Sequence, residues 1–276
     1  MNDPSLIDFD IQCYKAGILH ARRDSLSIEE PLEIVLDHYT EGAWQRHSIA
    51  VLMRTPGHDR ELAIGFLISE SAIPGATAII KYEERLETSR QRVILRLDES
   101  LRLDLWRMTR HVFTSSSCGV CGKTTIDQVR VACLTKPHLN TPFSSERLLS
   151  LPEKLRQAQL QFARSGALHA AGLFNSQGDL LLLREDVGRH NALDKLLGFA
   201  SQQKLLPLFD HLLLLSGRAS FELIQKAAIA GIPLVAAVGG PSSLAVQLAK
   251  EMGMTLVGFL REQTFNIYSR PEQLIT

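Results

Sequence analysis

The chain has 276 residues, with 30 Lys and Arg against 30 Asp and Glu, and is 45% hydrophobic and 22% charged. That balance excludes a nucleic-acid binder working through a broad basic face. Length and composition suit one large domain or two modest ones, able to fold without a metal or disulfide staple.

The four cysteines are too few for a disulfide scaffold. Met1 to Asp10 has neither the basic start nor the apolar core of a signal peptide. No stretch reaches the roughly 18 uncharged apolar residues a bilayer span needs. The most apolar one, Leu223 to Val238, is broken by Gln225, Lys226 and Pro233. A cytoplasmic protein with reduced thiols and no membrane or nucleic-acid partner is expected, and there closely spaced cysteines signal catalysis or metal binding.

Along the first half, Leu32 to Tyr39 and Arg46 to Arg54 read as strands around a Glu41-Gly42 turn. Thr55-Pro56 offers a helix start with proline at the first helical position. Leu62, Ala63, Phe66 and Leu67 follow at helical spacing, and Gln91 to Leu97 alternates as a half-buried strand does. From Thr109 to Thr125 the composition turns to Ser, Thr and Gly without period, which predicts a long exposed loop of the kind that is either functional or disordered. Lys136 to Ser145, with Pro137, Asn140 and Pro142, reads as a linker.

The second half alternates. A helix over Glu153 to Arg164 is expected first, then strands Ala167 to Phe174 and Asp179 to Arg184 around Gln177-Gly178. Helix Asn191 to Gln202, strand His211 to Leu215, helix Ala219 to Ala230, strand Ile232 to Val238, helix Ser242 to Met252 and strand Met254 to Phe259 follow. Continuous apolar strands between helices predict a sheet covered on both faces, with parallel neighbours. The expected class is mixed α/β. An N-terminal α+β domain would span residues 1–140, including a mobile cysteine loop at 109–125, and a C-terminal α/β domain residues 141–276.

Chemistry concentrates first in Cys118-Gly119-Val120-Cys121-Gly122. Two thiols two residues apart can share a metal, form a disulfide, or act as nucleophile and neighbour. The glycines leave the sulfur open to approach. Lys123, and the start of any helix over Thr124 to Val131, would favour thiolate. Cys133 and His138 complete a C-x2-C-x11-C-x4-H spacing that structural zinc could use. Against that, Cys133 sits between Ala132 and Leu134, where a thiol behaves as a small buried hydrophobe. Cys13 has no partner nearby in sequence.

A second set of polar segments follows apolar strands: Arg184 to Asn191, Ser216-Gly217-Arg218-Ala219-Ser220, and Gly239-Gly240-Pro241-Ser242-Ser243. The last two join strand to helix, where free backbone N–H groups and small residues suit phosphate, and Arg218 can add a bidentate contact. Such loops gather at the carboxyl edge of a parallel sheet. They equally serve as helix caps. His190, beside Asp186 and Arg189, is either a general base or an orienting group.

Three blocks together are similar to one family. Ser116 through Gly122, Arg184 through Lys195 and Ser216 through Glu222 resemble the formate dehydrogenase accessory sulfurtransferases, FdhD/NarQ. The likeness continues through Pro241 to Val246, Leu256 to Phe259 and Tyr268, and back to Gly65 through Glu70. The resemblance implies a sulfur carrier that accepts persulfide sulfur from a cysteine desulfurase. It would pass that sulfur to the molybdenum (or tungsten) bis-guanine-dinucleotide cofactor, a bound substrate, on its way into the formate dehydrogenase catalytic subunit. It further implies a homodimer and a cytidine-deaminase-like fold for the C-terminal half.

By motif, Cys118 would carry the persulfide and Cys121 assist transfer or release. Phe259, Leu260, Arg261, Glu262, Gln263 and Thr264 would contact the cofactor, joined by Ser216, Gly217 and Arg218. Deaminase chemistry itself is not expected, because zinc deaminases need H-x-E followed by P-C-x-x-C. Here His169-Ala170-Ala171 has alanine in place of the glutamate, and no cysteine follows Cys133. One departure stands out: Glu262-Gln263-Thr264 replaces the family's Gly-Gly-Arg run, which by charge alone weakens anion binding unless Arg261, Arg270 or Arg218 compensates. The rival readings are a non-catalytic cofactor-binding chaperone and a zinc-structured binding protein.

Overall fold

Two tight turns set the register of the N-terminal half. Glu41 and Gly42 both have positive φ, at 51° and 80°, the backbone that lets a two-residue hairpin follow strand twist. They join β3 (Glu30–Thr40) to β4 (Ala43–Arg54). Ala16 and Gly17, at 50° and 90°, do the same for β1 (Leu6–Lys15) and β2 (Ile18–Ser27), a ribbon forming its own two-stranded sheet. The computed structural model describes residues 5–87, 90–101, 103, 133 and 136–275. The Thr109 to Thr125 loop, and with it Cys118 and Cys121, lies outside the described residues.

β3 pairs with β4 antiparallel and with β6 (Arg90–Leu97) parallel, while β5 (Ile79–Glu87) closes the order β4-β3-β6-β5. Leu32, Ile34, Leu36, Val93 and Leu95 face α1 (Asp59–Ser69) across one core. Helix α1 starts three residues after the Pro56 expected to open it. Gly57 and His58 take φ of 99° and 59°, which no helix continues, and Thr55 is bound elsewhere.

The main sheet of the second half has six strands in the order β13-β12-β11-β10-β8-β9. They are β8 (His169–Phe174), β9 (Leu180–Asp186), β10 (Leu212–Leu215), β11 (Leu234–Ala237), β12 (Thr255–Gly258) and β13 (Asn266–Ser269). Alternate side chains leave on opposite faces. Leu213, Leu215, Val235 and Ala237 pack under three helices, α4 (Arg189–Gln202), α5 (Phe221–Ile229) and α6 (Ser243–Met252). Leu212, Leu214, Leu234 and Ala236 pack on α2 (Ser145–Ala158), whose neighbour is α3 (Leu160–Ser165). The sheet is covered on both faces, as its apolar strands require.

Only the centre is parallel, however: β10, β11 and β12. Helices α5 and α6 supply the crossovers that parallel strands need. β8 and β9 are joined by the short Asn175–Asp179 turn and run antiparallel, and so do the β8–β10 and β12–β13 pairs. Helix α2 begins eight residues before the expected start because Ser144 caps it, accepting from Arg147 N–H. Leu148, Leu151 and Leu155 give it a buried stripe despite Pro152. Part of the expected linker is the short strand β7 (Phe143–Ser144), paired with β14 (Leu274–Ile275). Among the described residues no helix is long and apolar enough to cross a membrane.

The halves meet along α1 and α4. A Cβ on Gly65 would stand 1.8 Å from the Asp194 carbonyl oxygen, and one on Gly198 1.8 Å from that of Glu61. Each glycine thus lies against the carbonyl four residues before the other, and the two helix backbones touch. Buried ion pairs flank this seam. Lys226 Nζ lies 3.0 Å from both Asp194 oxygens and donates to Ser69 Oγ of α1. Burial opposes the charge on Lys226, but Asp194 and Glu70 outweigh it and hold its pKa above the ordinary value.

Candidate functional site

Because β10, β11 and β12 are parallel, their C-terminal ends share one edge with the end of β9 and the starts of β8 and β13. Asp186 to His190, His169, Ser216 to Ser220, Val238 to Ser242 and Phe259 to Thr264 all gather there. This is where open α/β sheets take ligands.

The loops are stitched to one another through backbone. Gly239 N–H donates to Gly217 O at 2.8 Å, Ser242 N–H to Ala219 O at 3.0 Å, and Phe259 N–H to Gly239 O at 3.0 Å. The Arg261 guanidinium donates to Val238 O at 2.6 Å. Small residues permit this: a Cβ on Gly239 would meet Arg218 at 2.9 Å, and one on Gly240 the Phe259 ring at 2.6 Å. The edge is thus preorganised rather than a set of independent caps.

Its residues divide by role. Ser216 Oγ accepts from Ala170 N–H at 2.8 Å and fixes the turn after β10. Gly217 lies against the His169 ring. Leu260 is fully buried in the core below and anchors the loop, so among Phe259 to Thr264 its side chain is turned away from the edge. Phe259, at φ 53°, is about half exposed, an aromatic face presented beside Gly240. Arg261, Glu262, Gln263 and Thr264 are exposed, the turn closed by Arg261 N–H donating to Thr264 O.

The electrostatics are cationic, at an edge that is only partly buried. Burial, then Arg189 and Arg218, holds the His169 pKa below its ordinary value. Burial, reinforced by Arg189 and Lys226, pushes His190 down to about 4. Both imidazoles are therefore neutral at pH 7. His190 Nε2 lies 3.2 Å from Ser220 Oγ and 3.9 Å from Glu222, not beside Asp186. Ser220 occupies the N-cap of α5 without spending its side chain on the cap. Burial works against the charge on Glu222, yet backbone and Ser220 hydrogen bonds keep its pKa low. Arg189 Nε is buried without a hydrogen-bond partner among the described residues.

The Arg184 to Lys195 block is mainly a clamp. Arg184 forms a bidentate pair with Glu61 at 2.6 and 3.0 Å, and Glu185 accepts from Gln161 and Phe162 N–H at the start of α3. Asp186 is fully buried against Lys195 at 2.7 Å and accepts from Thr55, Gly188 and Asn191. Lys195 donates to Thr55 O, and Asn191 to Met53 O. Only Arg189 and His190 are left for the edge. Spacing within the block shows no such role, because every partner at residues 53–61 is more than a hundred residues away. Arg54, buried in a bidentate pair with Asp59 at 2.9 Å, was equally silent.

The zinc spacing loses support at its described members. Cys133 is a half-buried free thiol packed against the core, and burial pushes its pKa up to about 11. His138 stacks on Phe209 at 4.1 Å.

The FdhD/NarQ family model matches residues 27–275. The chain belongs to the FdhD/NarQ family. Relatives named "Sulfur carrier protein FdhD" are 45% identical over 256 residues in Nocardia farcinica, covering 92% of this chain and 89% of that one. The protein of that name from Streptomyces avermitilis is 47% identical over 261 residues, covering 92% and 90%. Its Sulfolobus acidocaldarius counterpart is 38% identical over 260 residues, covering 94% and 95%. A formate dehydrogenase accessory protein from Desulfotalea psychrophila, known from its crystal structure, shares the fold. Its TM-score is 0.74 at 24% identity, covering 99% of this chain and all of that one.

Proposed function

We propose that this FdhD/NarQ protein is a persulfide sulfur carrier serving formate dehydrogenase. The observation that carries the reading is near-full-length identity of 38–47% to proteins named sulfur carriers, in a chain that holds the Cys118-x-x-Cys121 pair. The Cys118 thiolate attacks the terminal sulfur of a cysteine desulfurase persulfide. The desulfurase thiolate leaves, and Cys118 holds the sulfur as a persulfide. Exchange of this kind needs an ionised attacker and open access. In release, the Cys121 thiolate attacks Cys118 Sγ and expels sulfide to the molybdenum of the acceptor cofactor. The resulting Cys118–Cys121 disulfide is returned to thiols by a cellular dithiol.

The acceptor is the molybdenum bis-guanine-dinucleotide cofactor, bound as substrate at the carboxyl edge. Phosphate suits Arg189, whose Nε has no hydrogen-bond partner among the described residues, and Arg218, which with Arg189 acts on His169 at the same edge. Phe259 offers a stacking face for a base. Arg261, held by Val238 O, supplies the cation that the exposed Glu262 offsets.

The test is intact-mass spectrometry after incubation with a cysteine desulfurase and cysteine. The wild type should gain one sulfur mass, removed by reduction, and Cys118→Ala should gain none while still binding a guanine nucleotide. Sulfur uptake by Cys118→Ala, or full formate dehydrogenase activity with that variant as the sole source, refutes the assignment.

A further inference from the structure

The carboxyl edge offers cations to phosphate, yet one carboxylate stands among them. Glu222 lies in the first turn of α5, 3.9 Å from His190 Nε2, with its side chain 57% exposed. The other acids nearby are committed: Asp186 to Lys195, Glu185 to N–H groups of α3, Asp194 and Glu70 to Lys226. Among the described residues, Glu222 has His190 as its one ion-pair neighbour, and that imidazole is neutral at pH 7. A charge that repels phosphate, and has no cation to neutralise it, must serve a different part of the ligand.

Glu222 is also held in place. Burial opposes its charge, but its own N–H and the Ser220 hydroxyl donate to it and keep it ionised. Ser220 can do this because its side chain does not cap α5. A first-turn carboxylate favours the helix dipole without any such tether. A carboxylate accepts at about four positions, so about two remain for a ligand.

The match is a pair of adjacent donors. The Watson–Crick edge of guanine sets N1–H beside the 2-amino group, and one carboxylate accepts from both. Adenine sets its 6-amino group beside an unprotonated N1, whose lone pair a carboxylate repels. The stacking surface is close by. Ala219 N–H donates to Gly240 O at 3.3 Å, the Phe259 ring lies against Gly240, and Glu222 follows Ala219 by three residues. Phe259 can stack on any base, because every base has a π-face. Arg189 and Arg218 can hold the phosphates of any nucleotide. Glu222 can tell one base from another.

We propose that Glu222 selects guanine over other bases at this edge, by accepting from N1–H and the 2-amino group. The proposal rests on the reading of the edge as the guanine-dinucleotide site. The experiment is isothermal titration calorimetry of the full chain with GDP, ADP and xanthosine diphosphate, whose 2-oxygen accepts where the guanine amino group donates. The wild type should bind GDP about five- to a hundredfold more tightly than either of the others, the worth of one bidentate contact at a base edge. Glu222→Gln offers an amide donor to the 2-oxygen. It should invert the order, so that xanthosine diphosphate binds more tightly than GDP, with an unchanged circular dichroism spectrum. A wild type that binds ADP as tightly as GDP overturns the inference and leaves the edge a nucleotide site. So does a Glu222→Gln variant that still prefers GDP, or an inversion produced by Glu262→Gln instead. A wild type that binds none of the three overturns the reading of the edge and this inference with it.

Discussion

Gly198→Ala isolates the contact on which the relation between the two halves depends. Alanine is ordinarily the better helix residue by about 0.8–1 kcal/mol, so on propensity alone the change stabilises. The structure reverses the sign. The new Cβ would stand 1.8 Å from the Glu61 carbonyl oxygen and 2.6 Å from its carbon. Relief requires α1 and α4 to part by more than an ångström, because no rotamer change moves a backbone carbonyl. Overpacking costs roughly 1–3 kcal/mol where side chains can yield, so the upper end, about 3 kcal/mol net, is expected here. At about 2–4 °C per kcal/mol for a protein of this size, the midpoint should fall by roughly 6–12 °C in differential scanning calorimetry. Gly65→Ala should behave alike, since its Cβ would meet the Asp194 carbonyl at the same distance. The double variant should cost far less than the two together, because one separation relieves both clashes. A Gly198→Ala protein that melts at or above the wild-type temperature refutes the argument.

Lys195→Met leaves Asp186 buried and unpaired, and should lower unfolding free energy in urea by about 3–5 kcal/mol; a loss below about 1 kcal/mol would mean that the Thr55, Gly188 and Asn191 donors suffice alone. His190 is pushed down to about 4 in the folded chain. The unfolded state therefore takes up its proton first, near the ordinary value of about 6.5. Its contribution to stability is complete above that pH and is lost as pH falls toward 4. His190→Gln should flatten this part of the stability–pH curve, and an unchanged slope would count against a neutral, partly buried imidazole. Cys133, pushed up to about 11, should resist alkylation at pH 7.5 until denaturant is added, and prompt labelling in the folded protein would contradict its burial.

What the sequence disclosed follows the range of the interactions. Strand–helix alternation after Ala167 was legible because the four-residue cores of β10 and β11 are wholly apolar and lead into Ser216-Gly217 and Val238-Gly239, while β12 has Thr255 alone as a polar residue. The β3–β4 hairpin was legible from Glu41-Gly42. Its twin at Ala16-Gly17 was not, because alanine seldom takes positive φ and the ribbon's strands are mostly polar or exposed. The mixed sheet escaped because an apolar strand buried on both faces carries no record of its neighbours' direction. At the candidate site, Ser216, Gly217, Arg218 and Phe259 do meet at one edge. The Arg184 to Lys195 block pointed there mainly by its charge, and most of that charge faces inward.

That inward charge explains why so polar a block sits beside an apolar core. Asp186, Asp194 and Lys195 all lie on or just before α4, and their partners are Thr55, Ser69 and Lys226. An apolar seam would join the halves at many nearby registers. Buried groups that must find specific donors and acceptors admit only one, and leaving any of them unpaired costs several kcal/mol. The Gly65–Gly198 contact fixes the helix separation in the same way. Arg189 and His190 open α4 directly above this lock, so the register of the seam also sets where the guanidinium stands relative to Arg218 and Phe259. The N-terminal half then acts on the cationic edge through α4, without contributing a ligand from α1.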